Sequence, residues 1–303
     1  MRHPARQVSW PCPDRQRTPA AISLRPTGLR SKSGMASSQY HVSLRDLSHV
    51  FTDGPQPLTA LAGVSLGMPP GQFTSVIGPS GCGKSTLLRI AGGLLRPSSG
   101  EALIHGRPPQ QAQRARDIGF VFQDPALLPW RTVLSNVRLP LEIDSLHRSR
   151  QLPDPEGLLE TVGLADFRDY YPHQLSGGMQ QRVAIARALC FNPSLLLMDE
   201  PFGALDEITR SATRYELLRL WEAPAPGAAS AQSGRKTVLF VTHSIAEAIT
   251  LSDRVIVLSR RPGSVRADIE VELPRPRTQE IERSQPFLDY ADHLRDLLME
   301  VPL

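Results

Sequence analysis

The feature that most constrains this chain is the stretch Gly78-Pro79-Ser80-Gly81-Cys82-Gly83-Lys84-Ser85-Thr86. A segment of strand length, residues 72–77, precedes it, and Leu87-Leu88-Arg89-Ile90-Ala91 continues it with the spacing of a helix. Strand, glycine-rich loop and helix in that order form a phosphate-binding loop, and a chance match in a glycine-rich turn would lack those flanks. The glycines let successive backbone N–H groups close around phosphate oxygens, and the helix N-terminus adds partial positive charge. Lys84 is expected to reach the β- and γ-phosphates of ATP, and the Ser85 hydroxyl to ligate Mg²⁺. Cys82 lies among these amides, where a helix N-terminus lowers a thiol pKa, so it is expected to alkylate readily unless ATP covers it.

A fold with this loop needs a sheet to carry it. Further strands are expected at 41–50, 61–68, 118–123, 194–198, 237–242 and 254–258, with mostly helical text between 124 and 194. Strands interleaved with helices imply an α/β fold with a largely parallel sheet covered on both faces. In such sheets the carboxyl ends of the strands line the ligand crevice. The apolar run 195–198 ends there in Asp199 and Glu200. Asp199 is expected to hold Mg²⁺, and Glu200 to orient and deprotonate an attacking water. An acidic pair after a strand is often no more than a solvated turn, but the phosphate-binding loop upstream favours the chemical reading. The strand at 237–242 ends in Thr242-His243. A lone histidine is usually structural, yet at a third strand end His243 can meet the γ-phosphate and the catalytic water.

A second anion-binding helix start follows from Leu175-Ser176-Gly177-Gly178-Met179-Gln180-Gln181-Arg182-Val183-Ala184-Ile185-Ala186-Arg187-Ala188-Leu189. Ser176 can cap a helix whose apolar positions Met179, Val183, Ala186 and Leu189 recur at helical spacing, while Gly177 and Gly178 leave first-turn N–H groups open to an anion. One nucleotide needs only one phosphate-binding loop. The spare terminus suggests ATP shared between two chains, and an ordinary capped helix is the alternative.

Taken together with Gln123, the strand ending in Glu200, Ala204-Leu205-Asp206 and His243, all in family order, this segment resembles the signature motif of ABC ATPases. The resemblance covers about residues 40–260. It implies a P-loop core with an antiparallel β subdomain and a helical subdomain, working as a homodimer that sandwiches two ATP molecules with Mg²⁺. Within it, residues 78–86 resemble the Walker A loop, Gln123 the Q-loop, 175–179 the signature, 195–200 the Walker B strand, 204–206 the D-loop, and His243 the switch histidine. Gln123 is thereby implied in catalysis and metal binding, and Asp206 in the nucleotide site. Phe51 falls where the family places an aromatic that stacks on adenine, usually Tyr. Met179 replaces a common Gln, and Ser244 stands where Asp often follows the histidine.

Phe120-Val121-Phe122-Gln123-Asp124-Pro125-Ala126-Leu127-Leu128-Pro129-Trp130-Arg131-Thr132-Val133, with Arg261-Pro262-Gly263 and Leu273-Pro274-Arg275-Pro276-Arg277, resembles the bacterial nitrate/sulfonate/taurine importer subfamily. Read from its residues alone, the first of these is a strand followed by a proline-broken apolar surface loop, a plausible docking site. The resemblance implies a subunit that drives uptake through two copies of a separate permease, served by an extracytoplasmic solute-binding protein, from the cytoplasmic face of the inner membrane. A soluble ABC ATPase acting on DNA or the ribosome would carry a long coiled coil or two cassettes, and a P-loop kinase would lack Ser176-Gly177-Gly178. The cargo is not legible, because no residue of such a subunit need touch it.

Charge and composition narrow the rest. Residues 1–38 hold seven Arg and Lys against the single acid Asp14, a surplus of six, so the net charge of +4 leaves the remainder at −2. A near-neutral body argues against nucleic acid as a partner. The Arg-, Pro- and Ser-rich tail has no hydrophobic periodicity and is expected to be disordered. Its prolines spoil the amphipathic helix of a transit peptide, it has no apolar stretch for a secretory signal, and the favoured reading is a true start at Met35. Three widely spaced cysteines, Cys12, Cys82 and Cys190, fit neither a disulfide framework nor a zinc spacing, which suits a reducing cytosol. The longest apolar runs fall far below the roughly 18 residues that span a bilayer. The expected organisation is a tail at 1–38, an ATPase domain at 39–260 with a helical subdomain at about 124–190 and a flexible insertion at 222–234, and a C-terminal extension at 261–303.

Overall fold

The computed structural model describes residues 40–143, 152–222 and 235–299. The basic tail, Cys12, Met35 and all of the expected insertion except Glu222 lie outside the described residues.

Four strands with every residue buried form the centre: β3 (Phe73–Ile77), β6 (Leu195–Asp199), β7 (Thr237–Val241) and β8 (Arg254–Leu258). Their mostly apolar text, with no polar alternation along β6, β7 and β8, is what a sheet covered on both faces requires. With β5 (Ile118–Val121) and β9 (Val265–Glu270) they make a six-stranded sheet in the order β5-β6-β7-β3-β8-β9. Neighbours pair in parallel except β9, which runs antiparallel to β8. A second, antiparallel sheet has the order β2-β1-β4, from β1 (Val42–Phe51), β2 (Leu58–Met68) and β4 (Ser99–Ile104).

Helix α1 (Lys84–Ala91) follows the phosphate-binding loop, and the short α2 (Pro109–Arg114) connects β4 to β5. A separate apolar cluster joins α3 (Val133–Ile143), α4 (Pro155–Thr161) and α5 (Gly177–Leu189). In it Val183 and Ala186 are fully buried and Met179 and Leu189 pack at the margin, so the 3.6-residue stripe read from the sequence is the face α5 buries. Helices α6 (Glu207–Glu222), α7 (Ile245–Leu251) and α8 (Gln285–Met299) complete the chain.

Two elements differ from the sequence-based expectation. β4 and β9 have no counterpart in it, and β9 closes one edge of the main sheet while Phe287, Tyr290 and Leu294 of α8 pack on Ile77, Ile249 and Val257. The chain beyond residue 260 is therefore built into the core of the ATPase domain, because β8 would otherwise expose its backbone edge.

The two sheets are joined by a buried histidine. His41, 2% exposed, stacks on His105 with ring centroids 3.8 Å apart, and its Nδ1 meets Thr237 Oγ1 at 2.5 Å. Gly71 N donates to that hydroxyl at 2.9 Å. Burial, and secondarily His105, push the His41 pKa down from 6.5 to about 4. The unfolded chain thus binds a proton that the folded chain refuses, so stability is full above pH 6.5 and declines as pH falls toward 4. The expected loss is on the order of 2–3 kcal/mol across that window. Denaturation midpoints measured at several pH values should fall less steeply in His41→Gln than in the parent protein; equal slopes would exclude this origin.

Candidate active site

The ends of three adjacent strands, β6, β7 and β3, deliver the chemistry to one place. From β3 the chain enters the phosphate-binding loop, whose bends need left-handed backbone at Gly81 (φ 74°) and Gly83 (φ 103°). A Cβ at Gly81 would meet nothing within 4 Å, so the φ value is what selects glycine there. The first-turn amides of α1 have no helical acceptor and face the loop. Lys84, 6% exposed, donates from Nζ to Gly78 O at 2.9 Å and Pro79 O at 3.1 Å, which holds its ammonium across the loop.

Ser85 Oγ donates to Asp199 Oδ1 at 2.8 Å, bringing together two residues 114 apart in the chain. Burial raises the Asp199 pKa above the usual carboxylate range, an effect the Ser85 bond and Arg89 partly oppose. A cation beside these oxygens would relieve that cost. Among the described residues no group of three or more His, Cys, Asp or Glu could hold a metal ion. A hydroxyl and one carboxylate do suit Mg²⁺, which keeps several waters and takes its remaining oxygens from substrate phosphates.

Glu200 turns out of β6 with φ 45°, left-handed for a non-glycine residue, held by Glu200 N donating to Val241 O and Gly203 N donating to Glu200 O. This bend aims the carboxylate across the strand ends, where Oε2 lies 3.1 Å from His243 Nδ1. A cleft of about 280 Å³ is lined by Phe51, Leu58, Ala60, Ser80, Gly81, Gly83, Lys84, Ser85, Thr86, Glu200 and Arg261. Phe51 is thus beside the phosphate-binding loop, although it comes from the antiparallel sheet.

Other expected site residues lie outside that lining. Gln123 stands two residues beyond β5, with its amide against Gly203 in the turn that follows Glu200. Ser176 caps α5, its Oγ accepting from Met179 N at 3.3 Å, and is exposed. Asp206 is exposed before α6 and accepts from Thr209 N at 3.0 Å, a bond that holds its carboxyl below the usual range. The capped α5 terminus and the nucleotide cleft of the same chain are separate features.

One expectation is corrected. Cys82 is buried rather than reactive: it is 1% exposed in the main core, and burial raises its thiol pKa, outweighing the Lys84 charge and the backbone amides of Lys84 and Cys82 that bond its sulfur. Its alkylation should be slow, with or without ATP. Gly178 is buried, and a Cβ there would stand 2.3 Å from Thr209 Cγ2, so the missing side chain admits α6. Gly177 is the exposed one of the pair.

Several supporting residues escaped sequence reasoning. Gln181, 1% exposed, donates to Phe122 O at 3.2 Å, and Arg187 donates to Ala126 O at 2.8 Å and to Pro125 O, so α5 holds both ends of the Gln123 loop. Arg210 donates to Phe202 O and Leu205 O and shapes the turn before Asp206. Arg261 reaches the cleft from the loop after β8. Gln181, Arg187 and Arg261 fell inside motifs singled out in the sequence but without an assigned role, and Arg210 carried no signal.

No helix among the described residues is long and apolar enough to cross a membrane. A family model described as ABC transporter matches residues 61–203. The chain is 42% identical to an uncharacterized ABC transporter ATP-binding protein of Methanocaldococcus jannaschii, covering 86% of this chain and 91% of that one. It is 38% identical to the nitrate import ATP-binding protein NrtD of Synechocystis, covering 85% and 95%, and 40% identical to the aliphatic sulfonates import ATP-binding protein SsuB of Bacillus cereus, covering 80% and 91%. Among solved structures, an ATP-binding cassette described as a dimer in a post-hydrolysis state bound to ADP and Pi superposes with a TM-score of 0.63 at 35% identity, covering 77% of this chain and all of that one. With these relatives matched over most of their length, and with the phosphate-binding loop, Asp199, Glu200 and His243 gathered at three neighbouring strand ends, the chain belongs to the ABC transporter ATP-binding proteins.

Proposed function

We propose that this ATPase works as a homodimer that drives import of a small anion or organic solute, such as nitrate, a sulfonate or taurine, through two copies of a separate membrane permease. The protein would sit on the cytoplasmic face of the inner membrane, with a solute-binding protein outside selecting the cargo. The observation that carries this reading is the separation of two half-sites within one chain. The cleft holds the phosphate-binding loop and Glu200, whereas Ser176 presents a capped helix start elsewhere on the surface. Two chains facing one another would complete both sites.

In that sandwich the loop amides and Lys84 bind the β- and γ-phosphates, and Phe51 stacks on adenine. Ser85 and Asp199, with Gln123 reaching in on closure, would hold Mg²⁺, which would neutralise charge on the transferring phosphoryl group. Glu200 accepts the proton of the attacking water, and His243, bonded to Glu200, orients that carboxylate and meets the γ-phosphate. Hydrolysis reopens the dimer.

The permease contact falls on the loop after Gln123. Trp130 is 72% exposed, and Phe122, Tyr170 and Tyr171 are each at least 40% exposed. Val133 N donates to Tyr170 O and Leu134 N to Arg168 O, which brings the two aromatic segments together. Buried Asn136 bonds both the N–H and the C=O of Leu128 and fixes the loop's shape. An exposed aromatic patch on a rigid loop suits docking, and its link to α5 through Gln181 joins it to the ATP-binding elements. Trp130→Glu should leave ATP hydrolysis by the isolated subunit within about twofold, since surface changes away from the site are usually mild. The same variant should lose co-purification with the co-expressed permease. A variant that still co-purifies and still supports uptake would remove the patch from the interface.

A further inference from the structure

The loop after β8 adds a charged side chain to the cleft wall that has no role so far. β8 neighbours β3 on the side opposite β7 and β6, so the chain leaving Leu258 runs along the flank of the phosphate-binding loop away from His243 and Glu200. The loop is firmly held. Gly263 N donates to Ala60 O, and Ala62 N donates to Gly263 O, each at 2.9 Å. A Cβ on Gly263 would stand 2.0 Å from Cys82 O, so glycine lets this loop lie directly on the backbone of the phosphate-binding loop. Ser264 N donates to Ser259 Oγ at 2.9 Å and closes it.

On this framework Arg261 lines the cleft together with Phe51, Leu58 and Ala60 of the antiparallel sheet and Ser80, Gly81 and Lys84 of the phosphate-binding loop. The residue is exposed, and its guanidinium makes no hydrogen bond or ion pair with any described residue. Nor does it cover the Phe51 ring: the cation–ring contacts among the described residues involve Arg116, Arg214, Arg235 and Arg275. A guanidinium is always charged, offers five donors in a plane, and both stacks on rings and pairs with phosphate. A closed wall would need no such group.

We propose that Arg261 is a nucleotide contact that holds the base-and-ribose side of ATP and ADP alike, opposite the flank where the γ-phosphate is cut. It rests on the cleft being the nucleotide site. Because the contact lies away from Glu200 and His243, it contributes to affinity and leaves the chemical step alone.

The test is calorimetric titration of the full chain with ADP and with a non-hydrolysable ATP analogue, each with Mg²⁺. Arg261→Ala should weaken both by a similar factor, about 5–20-fold for one charge-assisted contact, with kcat at saturating ATP within about twofold of the parent. Arg261→Lys should fall between. Arg260→Ala is the control, since Arg260 is exposed beside Arg261 but does not line the cleft. It removes the same charge and should leave both affinities unchanged. The melting temperature without nucleotide should not move in either variant, because Arg261 has no hydrogen-bond or ion-pair partner among the described residues to lose. Unchanged affinity in Arg261→Ala, or an equal loss in Arg260→Ala, overturns the assignment. So does a loss confined to the ATP analogue, which would put the contact on the γ-phosphate. If the parent protein binds neither nucleotide, the cleft reading itself fails and the assignment with it.

Discussion

Glu200→Gln protein is expected to bind ATP but to hydrolyse it about 10²–10⁴-fold more slowly than the parent, the usual cost of losing a general base. Glutamine keeps the size of the side chain and its bond to His243, and the backbone bend at Glu200 depends on main-chain bonds to Val241 and Gly203 that the change does not touch. Lys84, Ser85 and Asp199 stay in place, so binding survives. ATP should then remain bridged between the phosphate-binding loop of one chain and Ser176 of its partner, since hydrolysis is the normal exit. On size exclusion the variant should run as a dimer with ATP and as a monomer with ADP. Adding Ser176→Arg should abolish the dimer, because the exposed cap would be replaced by a side chain too large for a shared γ-phosphate. Hydrolysis at the parental rate would remove Glu200 from the role of base. A variant that stays monomeric with ATP over a range of salt and protein concentration would sink the two-chain site.

Arg277→Met is expected to lower folding stability by about 3–5 kcal/mol, since several buried carbonyls lose their donor at about 1–3 kcal/mol for each group left unsatisfied. Arg277 is 4% exposed and donates to five carbonyls: Ile249, Thr250 and Ser252 through Nη1, Val271 and Leu273 through Nη2. Three of these close the C-terminus of α7, where unpaired carbonyls carry partial negative charge and a cation is favoured. Burial, with Arg275 adding repulsion, pushes the Arg277 pKa down to about 10, so the group still enters the fold charged. Methionine keeps much of the stem volume while leaving five buried acceptors without their donor. The urea midpoint should fall by on the order of 1 M or more, given typical denaturant sensitivities. Because α7 runs from His243 at the carboxyl end of the sheet back toward the start of β8, the lesion lies away from the cleft, and kcat of the folded fraction should be unchanged. An unmoved midpoint would show that water or neighbouring groups satisfy those carbonyls as well as the guanidinium does.

The parts of the site that were legible in the sequence are those whose position comes from local rules. An apolar run of five residues announces a strand buried on both faces, and the residues just past its end must lie at the carboxyl edge of a parallel sheet. Asp199, Glu200, His243 and the residues of the phosphate-binding loop were placed that way, and β6, β7 and β3 do stand side by side. Ser176 was readable as a cap for the same kind of reason, since its bond partner Met179 is three residues on. β4 and β9 were not readable, because SGEALI and VRADIE mix polar and apolar residues on strands that are only half buried.

Sequence by itself determined the fold class, the family, and the identity of the groups at the strand ends, because each depends on a period or a spacing within about ten residues. Tertiary structure alone decided that Cys82 is buried, why Gly178 has no side chain, which carbonyls Arg277 gathers, and that Arg261 shares a cleft with Phe51. Those facts rest on contacts between segments far apart in the chain: Cys82 lies under Gly263, Gly178 against Thr209, and Arg277 beneath Ile249. No hydrophobic period records such a meeting. It is set by how β8 packs beside β3 and how α6 packs on α5, and those distances exist only once the sheet has closed.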